Sequence, residues 1–200
     1  MTKFVIALLL LAFSLFQSAI AGETEESGVY AEFGISHYRG NANKDNLSGT
    51  TAYVQAPFIA DYSAWGSVYH DKGFQGVYAG VSKQYGNLQV ALGLGSAWYD
   101  DTRKNVINPW LFYSSDEYEA LAHAERYLRD TEDPWFVKGY VQKKFNNFAI
   151  GVYGETDFGI GPMLTVNLHK AIKVWLVVPV ASRPEEGGAK FLIGLKYIYE

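Results

Sequence analysis

Residues 88–95 read Leu88-Gln89-Val90-Ala91-Leu92-Gly93-Leu94-Gly95, with an aliphatic side chain at every even position and a small or polar one at every odd position. A period of two places the four aliphatics on one face of an extended strand and leaves the other face nearly without bulk. Three further stretches repeat the pattern. Phe148, Ile150 and Val152 alternate with Ala149, Gly151 and Tyr153. Ile172, Val174, Leu176, Val178 and Val180 alternate with Ala171, Lys173, Trp175, Val177 and Pro179. Phe191, Ile193, Leu195, Tyr197 and Tyr199 alternate to the end of the chain. A soluble sandwich would alternate in the same way, so loop lengths and the chain end decide between the two.

Composition narrows the function. The 200 residues contain no cysteine, which excludes a disulfide scaffold and a Cys-ligated metal. With 17 Lys+Arg against 21 Asp+Glu and no basic run, nucleic acid is not an expected partner. No Walker loop, Gly-x-Ser-x-Gly elbow or His-Glu-x-x-His pair occurs, so no cofactor and no metal are expected. The 20 glycines and 16% aromatics call for a structural role, which interfacial girdles and a narrow barrel interior supply.

Residues 1–21 read as a signal peptide: Lys3, then an unbroken apolar run from Phe4 to Phe16, then Ala19-Ile20-Ala21 as a small-x-small cleavage site. That run is too short to span a bilayer as a helix, and no later run is longer. Residues 22–200 then form one exported domain, an antiparallel transmembrane β-barrel in the bacterial outer membrane.

The alternation predicts eight strands, near residues 28–38, 73–84, 88–99, 134–145, 147–157, 160–169, 171–181 and 190–199. Short links at 85–87, 146, 158–159 and 170 are set against long ones at 39–72 and 100–133 and a medium one at 182–188. Short periplasmic turns and longer extracellular loops put both termini in the periplasm. Within the second long loop, Ser114 and Glu117 have capping-box spacing ahead of an Ala-, Glu- and Leu-rich run. The reading is a short surface helix over 114–128 with His123 exposed; a continuation of the neighbouring strands is the competing one.

An eight-stranded barrel is too narrow for a water channel, so its inward face shows what it holds. At the periplasmic end that face reads Gln89, Thr165, Asn167, His169, Lys173 and Lys196; further out it reads Gly93, Gly95, Ala97, Met163, Val177, Leu192 and Gly194, with Trp175 among them. An apolar outer half suggests an acyl-chain slot; small residues that merely fit the taper are the alternative. Pro162 and Pro179 are symmetric about the turn at Lys170-Ala171 and would oppose each other. Two prolines facing across non-edge strands would open the wall, and the expectation is a lateral gate for a lipid tail. A proline lying above the bilayer, where water pairs the backbone, is the alternative.

With this layout the chain resembles the lipid A palmitoyltransferase (PagP) family. His37, within Gly34-Ile35-Ser36-His37-Tyr38-Arg39, and Asp101-Thr102, within Trp98-Tyr99-Asp100-Asp101-Thr102-Arg103-Lys104, fall where that family carries its functional His and Asp-Ser. The chain departs from the family in Thr102, in a longer second loop, and in residues 22–27, too few for the family's N-terminal amphipathic helix. Gly139-Tyr140-Val141 resembles the segment that floors the family's pocket, although alternation points Val141 outward.

The resemblance implies transfer of a palmitoyl-like chain from a phospholipid to lipid A. His37 would be the general base, Asp101 its orienting charge and Thr102 a hydrogen-bond donor. Implied partners are phospholipid, lipid A and the outer-membrane assembly machinery that reads the last strand, with the protein a monomer. Weaker candidates are His70-Asp71 and the Glu155/Asp157 pair. The alternatives are a non-catalytic barrel of the OmpX or OmpA type, serving adhesion, resistance or membrane integrity, and a passive lipid transporter.

Overall fold

The computed structural model describes residues 29–39, 47–71, 73–99, 102–128, 134–156, 158–180 and 191–199. The alternating segments pair into twelve strands, not eight. They are β1 (Tyr30–Arg39), β2 (Leu47–Ile59), β3 (Tyr62–His70), β4 (Phe74–Tyr85), β5 (Leu88–Tyr99) and β6 (Thr102–Ser114). Then follow β7 (Tyr118–Tyr127), β8 (Trp135–Lys144), β9 (Phe148–Glu155), β10 (Gly159–His169), β11 (Ile172–Val177) and β12 (Phe191–Tyr199). Every strand runs antiparallel to its neighbours in sequence, and β12 returns to β1 in register from Ala31↔Tyr199 to Arg39↔Phe191. Closure leaves no edge, the condition for a sheet to stand in lipid.

The four additional strands occupy the two segments expected to be long loops. Residues 39–72 contain the β2–β3 hairpin, folded at Ala60-Asp61, where Ala60 takes a left-handed φ of 42°. Residues 100–133 contain β6 and β7. Their period is still two, but on three of them the mid-strand outward side chains are small: Ala52, Val54 and Ala56 on β2, Ala64, Gly66 and Val68 on β3, Ala120, Ala122 and Ala124 on β7; β6 turns Ile107, Leu111 and Tyr113 outward. The expected surface helix over 114–128 is absent. Ser115 closes a β-turn instead, its Oγ accepting from the Tyr118 N–H at 3.1 Å. Helix propensity in Ala and Glu is a few tenths of a kcal/mol per residue, and the cross-strand ladder outweighs it.

Five tight turns lie at one end with Tyr30 and Tyr199, and the strand ends Arg39, His70, Tyr99, Tyr127, Glu155 and Val177 lie at the other. Outward faces carry an aliphatic belt, represented by Leu92, Leu94, Val141, Ile150, Val152 and Leu195, each 44% exposed or more. Rings border the belt. At the turn end the Lys83 ammonium sits 4.8 Å from Tyr62 and 4.9 Å from Tyr85. At the loop end Arg103 covers Trp98 at 5.8 Å and Arg126 covers Trp135 at 5.3 Å. An apolar band flanked by aromatic girdles is the lipid-facing surface of an outer-membrane barrel, and it contacts membrane lipids directly. The expected signal peptide, residues 1–21, lies outside the described residues.

Two local expectations about the wall also change. A register shift between Asn167 and His169 moves the β10–β11 pairing by one residue. Pro162 therefore faces Val178, whose N–H donates to the Pro162 carbonyl at 3.2 Å, and Val180 N–H reaches Ile160 at 2.9 Å. Pro179 stands against Gly161, where an added Cβ would come within 2.7 Å of the Pro179 Cα. The two prolines do not oppose each other, and the Val178 and Val180 N–H groups still bond across to β10 where a lateral gate was expected.

Candidate functional site: the barrel lumen

Twelve strands enclose a wider lumen than eight, and its contents follow from which inward positions lack a side chain. Inward glycines act as seats for rings from neighbouring strands. A Cβ on Gly93 would come 2.4 Å from the Trp65 ring, one on Gly95 2.5 Å from Tyr78, and one on Gly194 2.3 Å from Trp175. Each ring thus lies flat against the wall over its glycine. On the wall that runs from β2 to β6, Tyr53 stacks on Trp65 at 6.1 Å, and Trp110 meets both edge-on at 6.3 and 5.8 Å. On the opposite side Tyr153 stacks on Trp175 at 6.4 Å and meets Phe158 at 6.1 Å.

Two lysines in the lumen are paired with carboxylates, while Lys138, which also lines it, sits 5.9 Å from the Phe136 ring. Lys196 binds Glu32 at 2.7 Å, and Lys173 approaches Glu119 at 3.9 Å. Glu119 also accepts from Tyr140 at 2.7 Å and Gln142 at 3.0 Å, and Gln142 accepts from Thr165 at 2.9 Å. Glu125, 5% exposed, accepts from Tyr78 at 3.0 Å and Tyr127 at 2.9 Å, with His123 at 3.6 Å. Tyr153 bonds Glu155. Arg103 and Arg126 point outward, and among the described residues no group of acidic and His side chains is disposed to hold a metal. A cavity of about 890 Å³ follows this lining from Gln84, Gly86 and Asn87 at the turn end to Asp71, Phe74 and Glu155 at the loop end.

The residues expected to catalyse acyl transfer are not assembled. His37 sits on the outward face of β1, its Nδ1 2.9 Å from the Ser48 hydroxyl. Thr102 begins β6, opposite Tyr99, with β2 to β5 lying between it and His37. Asp101 lies outside the described residues. With eight strands the two rim positions would have been close; the added β2–β3 hairpin separates them.

Gly93, Gly95, Ala97, Met163, Val177, Leu192 and Gly194 all face inward as expected, but they line no common slot. Ala97 is covered in the cluster of Trp65, Tyr78 and Tyr127, while Met163, Val177 and Leu192 are covered by Tyr153 and Phe158.

Of the weaker candidates, Asp71 caps its own turn, accepting from Gly73 and Phe74 N–H at 2.9 and 2.7 Å. His70 is exposed on the outward face of β3, and Asp157 lies outside the described residues. His123, expected on an exposed helix, faces the lumen on β7. Sequence reasoning missed Tyr53, Trp65, Trp110, Glu119 and Glu125. Their signal was present as large or charged residues at every second position, alternating mostly with alanine, glycine or valine on β2, β3 and β7, while Trp110 stands between Pro109 and Leu111.

No protein-family model and no curated protein matches the chain. Solved structures do. The KdgM porin is similar with a TM-score of 0.53 at 11% identity, covering 86% of this chain and 99% of that one. The KdgM porin in complex with disordered oligogalacturonate gives 0.54 at 14% identity, with the same coverage. A bacterial polysaccharide outer membrane secretin gives 0.50 at 9% identity, covering 88% of this chain and 99% of that one. At these identities the likeness establishes the fold alone, a closed twelve-stranded antiparallel outer-membrane barrel. It replaces the eight-stranded PagP resemblance, and with it the acyltransferase expectation and the lipid A chemistry; a non-catalytic barrel fits better.

Proposed function

We propose that this protein is a channel-forming barrel of the outer membrane, passing small hydrophilic solutes down their gradient. The observation that carries the reading is the cavity of about 890 Å³ lined by residues from both ends of the barrel. A structural barrel would fill that space with interlocking side chains; here glycines hold the largest rings back against the wall. The fold likeness to porins supports the same reading.

Under this proposal residues 1–21 direct export, residues 22–200 form the barrel, and the alternating last strand is the segment read by the assembly machinery. The barrel functions as a monomer, since its outward belt is covered by lipid. The KdgM structure that holds an oligogalacturonate suggests a polyanion as solute. The pairing of Lys196 with Glu32 and Lys173 with Glu119 argues instead for weak charge selectivity. Reconstitution of the purified barrel into planar bilayers tests the proposal. Discrete conductance steps with a near-zero reversal potential in a KCl gradient are expected; a correctly folded barrel that never conducts would refute it.

A further inference from the structure

Two buried polar atoms on one lumen wall have no partner: the Trp65 indole Nε1 and the Asn108 Oδ1, on residues 5% and 2% exposed. They belong to one patch. Asn108 pairs directly with Gly93, and Gly93 is the seat of the Trp65 ring. Strand pairing also lapses there, between Ile107↔Arg126 and Trp110↔His123, because Pro109 has no N–H to contribute. Both side chains line the cavity beside Tyr53 and Trp110.

A buried donor and a buried acceptor left unpaired are unfavourable until a ligand supplies both partners. A hydroxyl group does so alone, since it donates and accepts. The rings beside them add a second requirement. Tyr53 and Trp65 lie within 22° of parallel, with Trp110 edge-on to both. Aromatic faces carry partial negative charge and attract polarised C–H groups, which a sugar ring presents on the face opposite its hydroxyl edge. The neighbouring strand β7 brings the Glu125 carboxylate, held by Tyr78 and Tyr127, to this side of the lumen, so the wall beside the rings does not select for an anion.

We propose that Tyr53, Trp65, Trp110 and Asn108 form a subsite for an uncharged pyranose ring, one unit of a neutral oligosaccharide in transit. The ring stacks on the aromatic plate, and a hydroxyl bridges the Trp65 N–H and the Asn108 carbonyl. This inference rests on the channel reading above and names its solute class.

The test uses the whole barrel with two probes of equal length, maltohexaose and a hexamer of galacturonic acid. Channel interruptions in bilayers and tryptophan fluorescence in detergent are followed as each is titrated. Maltohexaose is expected to block and to saturate. Trp110→Ala and Asn108→Ala are expected to raise its half-saturation about tenfold, the loss of a stacking or hydrogen-bond contact. Conductance retained in each variant certifies that it folds. Tighter binding of the acidic hexamer overturns the proposal, and so does maltohexaose binding indifferent to both substitutions. A conducting channel that binds neither probe overturns the subsite and leaves the channel standing. Saturable maltohexaose binding in a barrel that never conducts, lost in Trp110→Ala, supports the subsite and removes the channel.

Discussion

Glu119 and Lys173 stand on β7 and β11, with three strands between them around the wall, yet their charged groups approach to 3.9 Å. The pair spans part of the lumen, and Tyr140 and Gln142 hold the carboxylate in place. It narrows the passage and cancels charge at the same level.

Removing one partner should therefore unbalance the lumen in a known direction. Lys173→Met leaves the Glu119 carboxylate unpaired and should make the channel cation-selective; Glu119→Gln leaves the ammonium and should favour anions. Reversal potentials of opposite sign in a KCl gradient are the expected result, both shrinking as ionic strength rises.

Glu125 joins Tyr78 and Tyr127 in the β4–β7 wall, and Tyr127 has a second partner in Tyr99 at 2.7 Å. Glu125→Gln keeps an acceptor for both phenols and should be nearly neutral. Glu125→Leu strands the buried Tyr78 hydroxyl and should cost about 2 kcal/mol. Urea unfolding of the barrel in lipid vesicles reads the difference.

Two inward glycines separate packing from backbone effects. Gly93→Ala drives a methyl group to 2.4 Å from the Trp65 ring and 3.0 Å from the Ala79 carbonyl, and should cost about 1–3 kcal/mol. Around Gly34 the nearest atoms are 3.8 Å away, so Gly34→Ala should stay within about 0.5 kcal/mol. The same unfolding measurement ranks them.

The lipid belt predicts a dependence on depth. Leu94, 65% exposed near the middle of β5, should lose about 2–4 kcal/mol on substitution by arginine. Tyr85, in the girdle at the turn end, should lose at most about 1 kcal/mol on the same change. Folding yield into vesicles checks the order.

Much of this architecture was legible in the chain. The faces of β5, β9 and β12 follow from Leu92, Ile150 and Leu195, and the inward direction of Gly93, Gly194 and Lys196 follows with them. Strand number was not legible, because β2, β3 and β7 turn alanine and valine to the lipid, and a search for aliphatic alternation passes over them. The partner of Pro162 was not legible either: the irregularity at Asn167/His169 shifts every later pair by one residue, and counting from the turn then selects Pro179 where Val178 stands.

The sequence by itself determined that the chain alternates, which side chains of its strongest strands meet lipid, and that its polar groups lie within. Those are local properties, set by the two-residue period of an extended backbone. Only the tertiary structure decided how many strands close the sheet, and so how wide the lumen is and which inward residues meet. Glu119 finds Lys173, and Trp65 finds Gly93, through ladders between segments distant in the chain. Lumen width depends on the total number of strands in the closed ring, and no single segment encodes that number.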